Sequence, residues 1–318
     1  MVTKRHYEQL QSRWRQEVLR LPAGPPTHPT SRLPTVEYCL PREFHGSTPV
    51  EGGWNFVSGA AHDYALGRSA GFNVFDDRLW RNMLSSQPLA FNIAGGLREH
   101  LASAADAFAE LTEWPVIGFD RLGESVTDRH ALDGLHAEWA PPRSRHTGDG
   151  SSFDIAAPLR LGGHRRVFLS IEVKYTDDFS SGVAARDLAT KLEQYRPHLD
   201  ALGIGDARRE PLLRGRTFQF LRSVMLTDSV VRRGLRGDDR LDGGLATVVA
   251  PAADAVAREA VATVSAALGT TRTQVAFWSL DDLLDGCADQ APLQVWADTM
   301  RRRYLTGPVV VENSRSGA

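Results

Sequence analysis

The sequence predicts an α/β (α+β) fold: a central mixed β-sheet of about four to five strands flanked by helices, with an N-terminal extension of helix and loop. Three observations predict it. Three strand-like segments follow one another in the middle of the chain, at 131–139, 151–159 and 166–175. Helical and strand-like segments alternate after them. Hydrophobic residues make up 42% of the 318, enough for a core, and no internal repeat divides the chain.

The elements follow in order. Residues 3–20 read as a helix, and "LPAGPPTHPTSRLPT" (21–35) as a Pro-rich linker that cannot stay helical. Residues 36–77 are loop-rich, so 1–77 is expected to be an extension and 78–318 the main domain, with its core at about 130–280. A helical region spans 78–112, with Pro88 and Gly95-Gly96 expected to break it. "LGGH" (161–164) reads as a hairpin turn between the second and third strands. Residues 183–203 carry an apolar stripe at Leu188, Leu192, Tyr195, Leu199 and Leu202, with a kink expected at Pro197. A buried helix is expected at 212–235, a strand at 245–251, a helix at 252–268, a strand at 274–280 and a last helix at 291–304.

Charge and composition exclude several classes. No apolar run approaches the ~18 residues of a membrane span, and "MVTKRHYEQLQSRWRQEVLR" has no signal-peptide centre, so a cytoplasmic protein is expected. Cys39 and Cys287 have no CxxC partner, which argues against a zinc ribbon or a disulfide framework. The net charge is −2, so contact with nucleic acid must come from a local patch. Residues 205–240 supply one, with nine arginines against five acids; Arg214, Arg216 and Arg222 are its candidates for phosphate contact. A solvated helix face explains the same run equally well.

Lysine is rare. Of 37 basic residues only Lys4, Lys174 and Lys191 are lysine. Lys174 lies in "RRVFLSIEVKYTDDF", where Val167, Leu169, Ile171 and Val173 alternate with Phe168, Ser170, Glu172 and Lys174. A chain that otherwise uses arginine for charge places lysine's compact ammonium mid-strand. A three-residue loop at Gly162-Gly163-His164 would pair Leu161 with Arg165 and set Asp154 opposite Glu172. A two-residue loop would send Asp154 to the other face. In the first register Asp154, Glu172 and Lys174 share a face. Two facing carboxylates repel, and a divalent cation between them removes the repulsion. Oxygen ligands suit Mg²⁺ or Mn²⁺. Such a site could activate water against a phosphodiester, with Lys174 offsetting transition-state charge. The bare motif is weak, because Glu and Lys two apart are common on a solvated strand face.

The flanking residues add weight. "SSQPLAFN" (85–92), "AEW" (137–139), "SSFDI" (151–155) and "EVKYTDDFS" (172–180) occur in this order, with "FLR" (220–222) and "FWSL" (277–280) after them. Together, over roughly 78–305, they resemble the PD-(D/E)xK nuclease superfamily. They resemble more closely a bacterial restriction-endonuclease-like group within it, with SSQ-x-L-x-x-N, TNFDV and EIKYTE segments. The resemblance implies a restriction-endonuclease-like core and Mg²⁺-dependent cleavage of DNA in genome defence or DNA processing, with RNA left open as substrate. It implies that Asp154, Glu172 and the Val173 carbonyl hold the metal, that Lys174 is the catalytic lysine and that Glu138 is the additional acid. Phe153 rather than proline precedes the motif aspartate, and "KLEQY" (191–195) lacks the Gln-x-x-x-Tyr spacing of the recombination branch. The Ser85-Ser86-Gln87 segment reads equally as helix packing or substrate positioning.

The rivals have less in their favour. "GRSAG" (67–71) matches G-x-S-x-G but lacks a β-branched strand before it. Histidines 130, 136, 146 and 164 have no zinc spacing and read as surface or loop residues. No P-loop or GxGxxG is present. The main alternative is a catalytically inactive nuclease-fold module that binds nucleic acid or a protein. The 1–77 extension would serve as a surface for a partner protein or a second copy.

Overall fold

The computed structural model describes residues 4–28, 30–44, 54–69, 77–123, 132–177, 179, 182–235 and 240–308. Helix α1 (Lys4–Arg13) continues as a π-helical turn over Trp14–Leu19. Helices α2 (Gly59–Ser69), α3 (Asp77–Arg81), α4 (Ser86–Glu99) and α5 (Leu101–Thr112) precede the strands. Next come β1 (Val116–Phe119), a small ladder of β2 (Arg121–Leu122) with β3 (Leu132–Asp133), then β4 (His136–Trp139), β5 (Phe153–Leu161) and β6 (Arg166–Val173). Helices α6 (Leu188–Ala201), α7 (Asp206–Arg214) and α8 (Phe218–Arg233) lead to β7 (Gly243–Ala250). Helix α9 (Ala255–Ala267), β8 (Thr273–Ser279), α10 (Leu280–Ala288) and α11 (Gln294–Arg301) complete the order.

The main sheet is mixed, as expected, and has six strands among the described residues, in the order β1-β5-β6-β7-β8 with β4 also on β5. Strands β1, β4 and β6 lie antiparallel to β5, whereas β6, β7 and β8 run parallel. Side chains alternate between two layers. Val167, Leu169, Ile171 and Val173 join Leu89, Phe91, Ile93 and Leu97 of α4 in one cluster. Ala246, Val248 and Ala250 pack on the other face with Leu221, Val224 and Val264 from α8 and α9. Phe56, Ala61 and Ala65 also belong to the first cluster.

Several expectations change. The segment 131–139 is two short strands, β3 and β4, either side of Gly134, whose φ is +73°. The helix expected at 212–235 breaks between α7 and α8 around Gly215, and α6 runs through Pro197 as one helix. Strand β1 was not foreseen, because "VIGF" is short and flanked by proline and aspartate. Of the histidines, His136 and His146 are buried rather than superficial, His164 sits in the β5–β6 loop, and His130 lies outside the described residues. "GRSAG" starts on helix α2, not after a strand, and its last two residues lie outside the described residues.

Neither Pro88 nor Gly95-Gly96 interrupts α4. Ser85 caps the helix by accepting the Gln87 N–H, and Pro88 sits in the first turn, where a missing N–H is harmless. The glycines permit close packing instead. A Cβ on Gly95 would lie 2.5 Å from the Ala61 Cα, and one on Gly96 would lie 2.1 Å from the Trp296 Nε1. Overpacking of this kind typically costs about 1–3 kcal/mol. Gly96→Ala is therefore expected to lower the urea unfolding free energy by about that amount. Gly59→Ala, with open space around its Cβ, should leave it within about 0.5 kcal/mol.

Candidate active site

The β5–β6 hairpin sets the site. Its loop is Gly162-Gly163-His164, with φ of +72° and +63° at the last two residues. Leu161 donates its N–H to the Arg165 carbonyl, and Ile155 pairs with Ile171 in the register that runs to Arg160 with Arg166. The same register sets Asp154 opposite Glu172. Asp154 Oδ2 accepts the Val173 N–H at 2.8 Å, which ties it to the far strand. Lys174, just past β6, donates its own N–H to the Val249 carbonyl and keeps the segment aligned with β7.

Glu172 and Lys174 are both buried, and their charges lie 3.0 Å apart. Glu172 Oε1 also accepts from Gln219 at 2.6 Å, and Oε2 from Ser223 at 3.1 Å. Gln219 and Ser223 are one turn apart on α8, which lies against this face of the sheet. The Lys174 ammonium also stands 4.8 Å from the centre of the Phe179 ring.

Glu138 arrives by a different device. Its φ is +51°, a region that non-glycine residues seldom occupy. His136, Ala137 and Trp139 pair with Ala156, Ile155 and Phe153, while Glu138 itself makes no ladder pair. Ala137 faces the α4 layer, but Trp139 lies among Phe153 and Phe168 on the other face. Residues two apart on a regular strand share a face, so the left-handed residue turns the chain over. Arg68 of α2 holds this turn by donating Nη2 to the carbonyls of Ala137 and Glu138 at 3.2 and 3.3 Å. Tyr64 OH accepts the Ala137 N–H at 2.7 Å. The Glu138 carboxylate accepts from Ser152 Oγ at 3.0 Å and from the Gln87 side chain.

The electrostatics show three acids crowded together. Burial pushes the Asp154 carboxyl well above the ordinary aspartate value, and the Glu172 and Glu138 charges push it further. Burial also raises Glu138, with Glu172 adding to it against the hydrogen bond from Ser152. Burial alone would lower Lys174, but the Glu172 and Asp154 charges outweigh it and hold the ammonium above the usual lysine value.

The sequence-predicted residues therefore divide. Asp154, Glu172, Lys174 and Glu138 come together. Arg222 stands 5.8 Å from the Phe218 ring centre at the start of α8, beside Ser223. Arg216 is exposed just before that helix, and Arg214 is paired with Glu210 at 3.2 Å. Sequence reasoning missed Gln219, Ser223 and Arg68. Gln219 and Ser223 carry a readable signal, being two polar residues at i, i+4 that share one face of the helix. In the Ser85-Ser86-Gln87 segment Ser85 caps α4, which accords with the helix-packing reading, Ser86 donates N–H and Oγ to Asp177, and Gln87 reaches Glu138.

This geometry accords with the family comparison. A family model described as the PD-(D/E)XK nuclease superfamily matches residues 2–306. The chain belongs to that superfamily. No curated protein and no solved structure matches it. Nucleases of the PD-(D/E)XK superfamily act on nucleic acid and generally use divalent metal ions. The residues here fit such an ion in donor chemistry: the acids are hard oxygen donors, and crowding makes their shared negative charge costly. A carboxylate offers about four lone pairs. Glu172 commits three of them, to Gln219, Ser223 and Lys174, and Asp154 commits one to Val173. Among the described residues no group of three or more His, Cys, Asp or Glu is disposed to enclose an ion alone. Water would therefore complete any coordination sphere, as Mg²⁺ prefers.

A stability test follows from the raised Asp154 carboxyl. The folded state holds its proton to higher pH than the unfolded chain, whose value is near 3.8. The folded state thus binds more protons above that pH, and stability falls as pH rises through the raised value. With EDTA present, Asp154→Asn is expected to melt at or above wild type at pH 8, the advantage shrinking toward pH 5. A variant that melts lower at every pH would show that the charge crowding is not there.

Proposed function

We propose that this PD-(D/E)XK protein is a Mg²⁺-dependent DNA endonuclease, with Mn²⁺ able to substitute. The observation that supports the reading most directly is the Asp154–Glu172 pair across one hairpin, with the Lys174 ammonium 3.0 Å from Glu172. Asp154, Glu172 and the Val173 carbonyl would hold the ion. When bound, the ion supplies an activated water and neutralises charge on a phosphate oxygen.

The chain's own residues do the rest. Lys174 is an ammonium at neutral pH, so it donates hydrogen bonds and positive charge toward the phosphate rather than accepting a proton. Gln219 and Ser223 fix the Glu172 carboxylate in one orientation. The Val173 N–H does the same for Asp154. Glu138, held by Gln87 and Ser152, keeps a further carboxyl beside the reacting centre as the additional acid. Arg216 and Arg222 border the same end of α8 and would meet the phosphate backbone, with Arg214 behind them at the end of α7. Burying two acids and a lysine together gives no advantage to a module that only binds DNA, because the acids repel phosphate.

Supercoiled plasmid, linear duplex and RNA, each with Mg²⁺ or EDTA, test the proposal. Wild type should relax or linearise plasmid only with Mg²⁺. Lys174→Ala is expected to lower the rate by about 10²–10³-fold, and Asp154→Ala to abolish it. Equal cleavage by all three proteins would point to a contaminant. DNA binding without cleavage under every condition would sink the enzyme reading, and cleavage of RNA alone would replace its substrate. Alanine at Arg216 and Arg222 should reduce the salt slope of DNA binding by about one per lost phosphate contact.

A further inference from the structure

The arginine run that ends α8 does not reach the candidate active site. Arg232 is nine residues beyond Ser223, about 13 Å along the helix axis. It lines a cavity of about 460 Å³ at the other end of the parallel strands, where β7 and β8 begin. Arg233, Arg240 and Arg272 line the same cavity, as do Thr271 and Asp228. Among the described residues four guanidinium groups thus share the cavity with one acid.

That acid is already engaged. Asp228 is buried, and its Oδ2 accepts from Arg232 Nε at 2.6 Å. Its Oδ1 accepts from Thr271 and Thr273 at 3.3 and 3.4 Å. Arg232 thereby uses its Nε, and Arg233 uses Nη1 on the Arg145 carbonyl at 2.8 Å. Among the described residues Arg240 and Arg272 pair with no carboxylate. The surroundings register the surplus. Burial, then Arg233, lowers the His146 imidazole to about 4, and burial, then Arg232, lowers His198.

We propose that this cavity is a binding site for a compact polyphosphate group, inorganic or carried by a nucleotide. Guanidinium forks match phosphate oxygens two at a time. Among the described residues their charges outnumber the one carboxylate beside them, an excess that suits a ligand with more than one negative charge. The volume is that of a small-ligand pocket. Among the described residues no aromatic side chain lines it, so the phosphates and not a base provide the recognition. Side chains form the cradle, which is why no glycine-rich phosphate motif marks it in the sequence. The proposal does not depend on the nuclease reading.

The test uses the full chain in EDTA, with pyrophosphate, ADP, orthophosphate and a short DNA duplex measured separately by calorimetry and thermal melting. Pyrophosphate and ADP are expected to bind saturably and raise the melting temperature, with orthophosphate at least tenfold weaker. Arg240→Ala/Arg272→Ala, both at exposed positions, should weaken pyrophosphate and ADP at least tenfold while the ligand-free melting temperature stays put. Asp154→Asn should bind them like wild type. Equal affinity for the two ligands assigns the site to the inorganic group, and tighter ADP assigns it to a nucleotide. Three results overturn the proposal: no saturable binding, undiminished binding by the double variant, or a double variant that loses only duplex affinity.

Discussion

Electrostatic repulsion between acids governs the centre of this molecule. Asp154, Glu172 and Glu138 each cost free energy to bury, and each makes the others costlier. The surrounding structure offsets that cost. The Lys174 ammonium sits against Glu172, a backbone N–H holds Asp154, two donors on α8 hold two further lone pairs of Glu172, and Gln87 and Ser152 hold Glu138. Deleting any one donor leaves a buried acid with less compensation. That dependence explains why elements far apart in sequence, from α2 to α8, converge on so few atoms.

The hairpin was legible because its information is local. Alternation from Val167 to Val173 and the glycine-rich turn narrow the register to two, and the three-residue loop that the structure adopts is the one that sets Asp154 opposite Glu172. The scarcity of lysine gave position 174 a meaning that spacing could not. The left-handed Glu138 was not legible. Its φ is imposed by Arg68 and Tyr64, which lie some seventy residues earlier in the sequence. Gly95-Gly96 misled for a related reason. Local propensity makes a glycine pair a helix breaker, but here the Ala61 backbone and the Trp296 ring approach so closely that only glycine fits. Short β1 showed no periodicity from which to infer a strand.

The arginine run illustrates a limit of reading charge along the chain. One stretch with a single net sign divides in space into three fates. Arg209 pairs with Asp200 and Asp206 at 2.5 and 3.0 Å. Arg216 and Arg222 border the N-terminal end of α8, beside the acids, and Arg232, Arg233 and Arg240 turn to the opposite rim of the sheet. Helix α8 is what separates them, because Arg222 lies near its first turn and Arg232 and Arg233 at its last.

The seclusion of Lys174 has a practical corollary. Only two other side-chain amines exist, on Lys4 and Lys191, and both are more accessible. Acylating reagents will therefore decorate the α1 and α6 surfaces of the intact protein and spare Lys174. Any adduct found on Lys174 reports a molecule whose centre has opened, which makes a mass spectrum a gauge of local breathing.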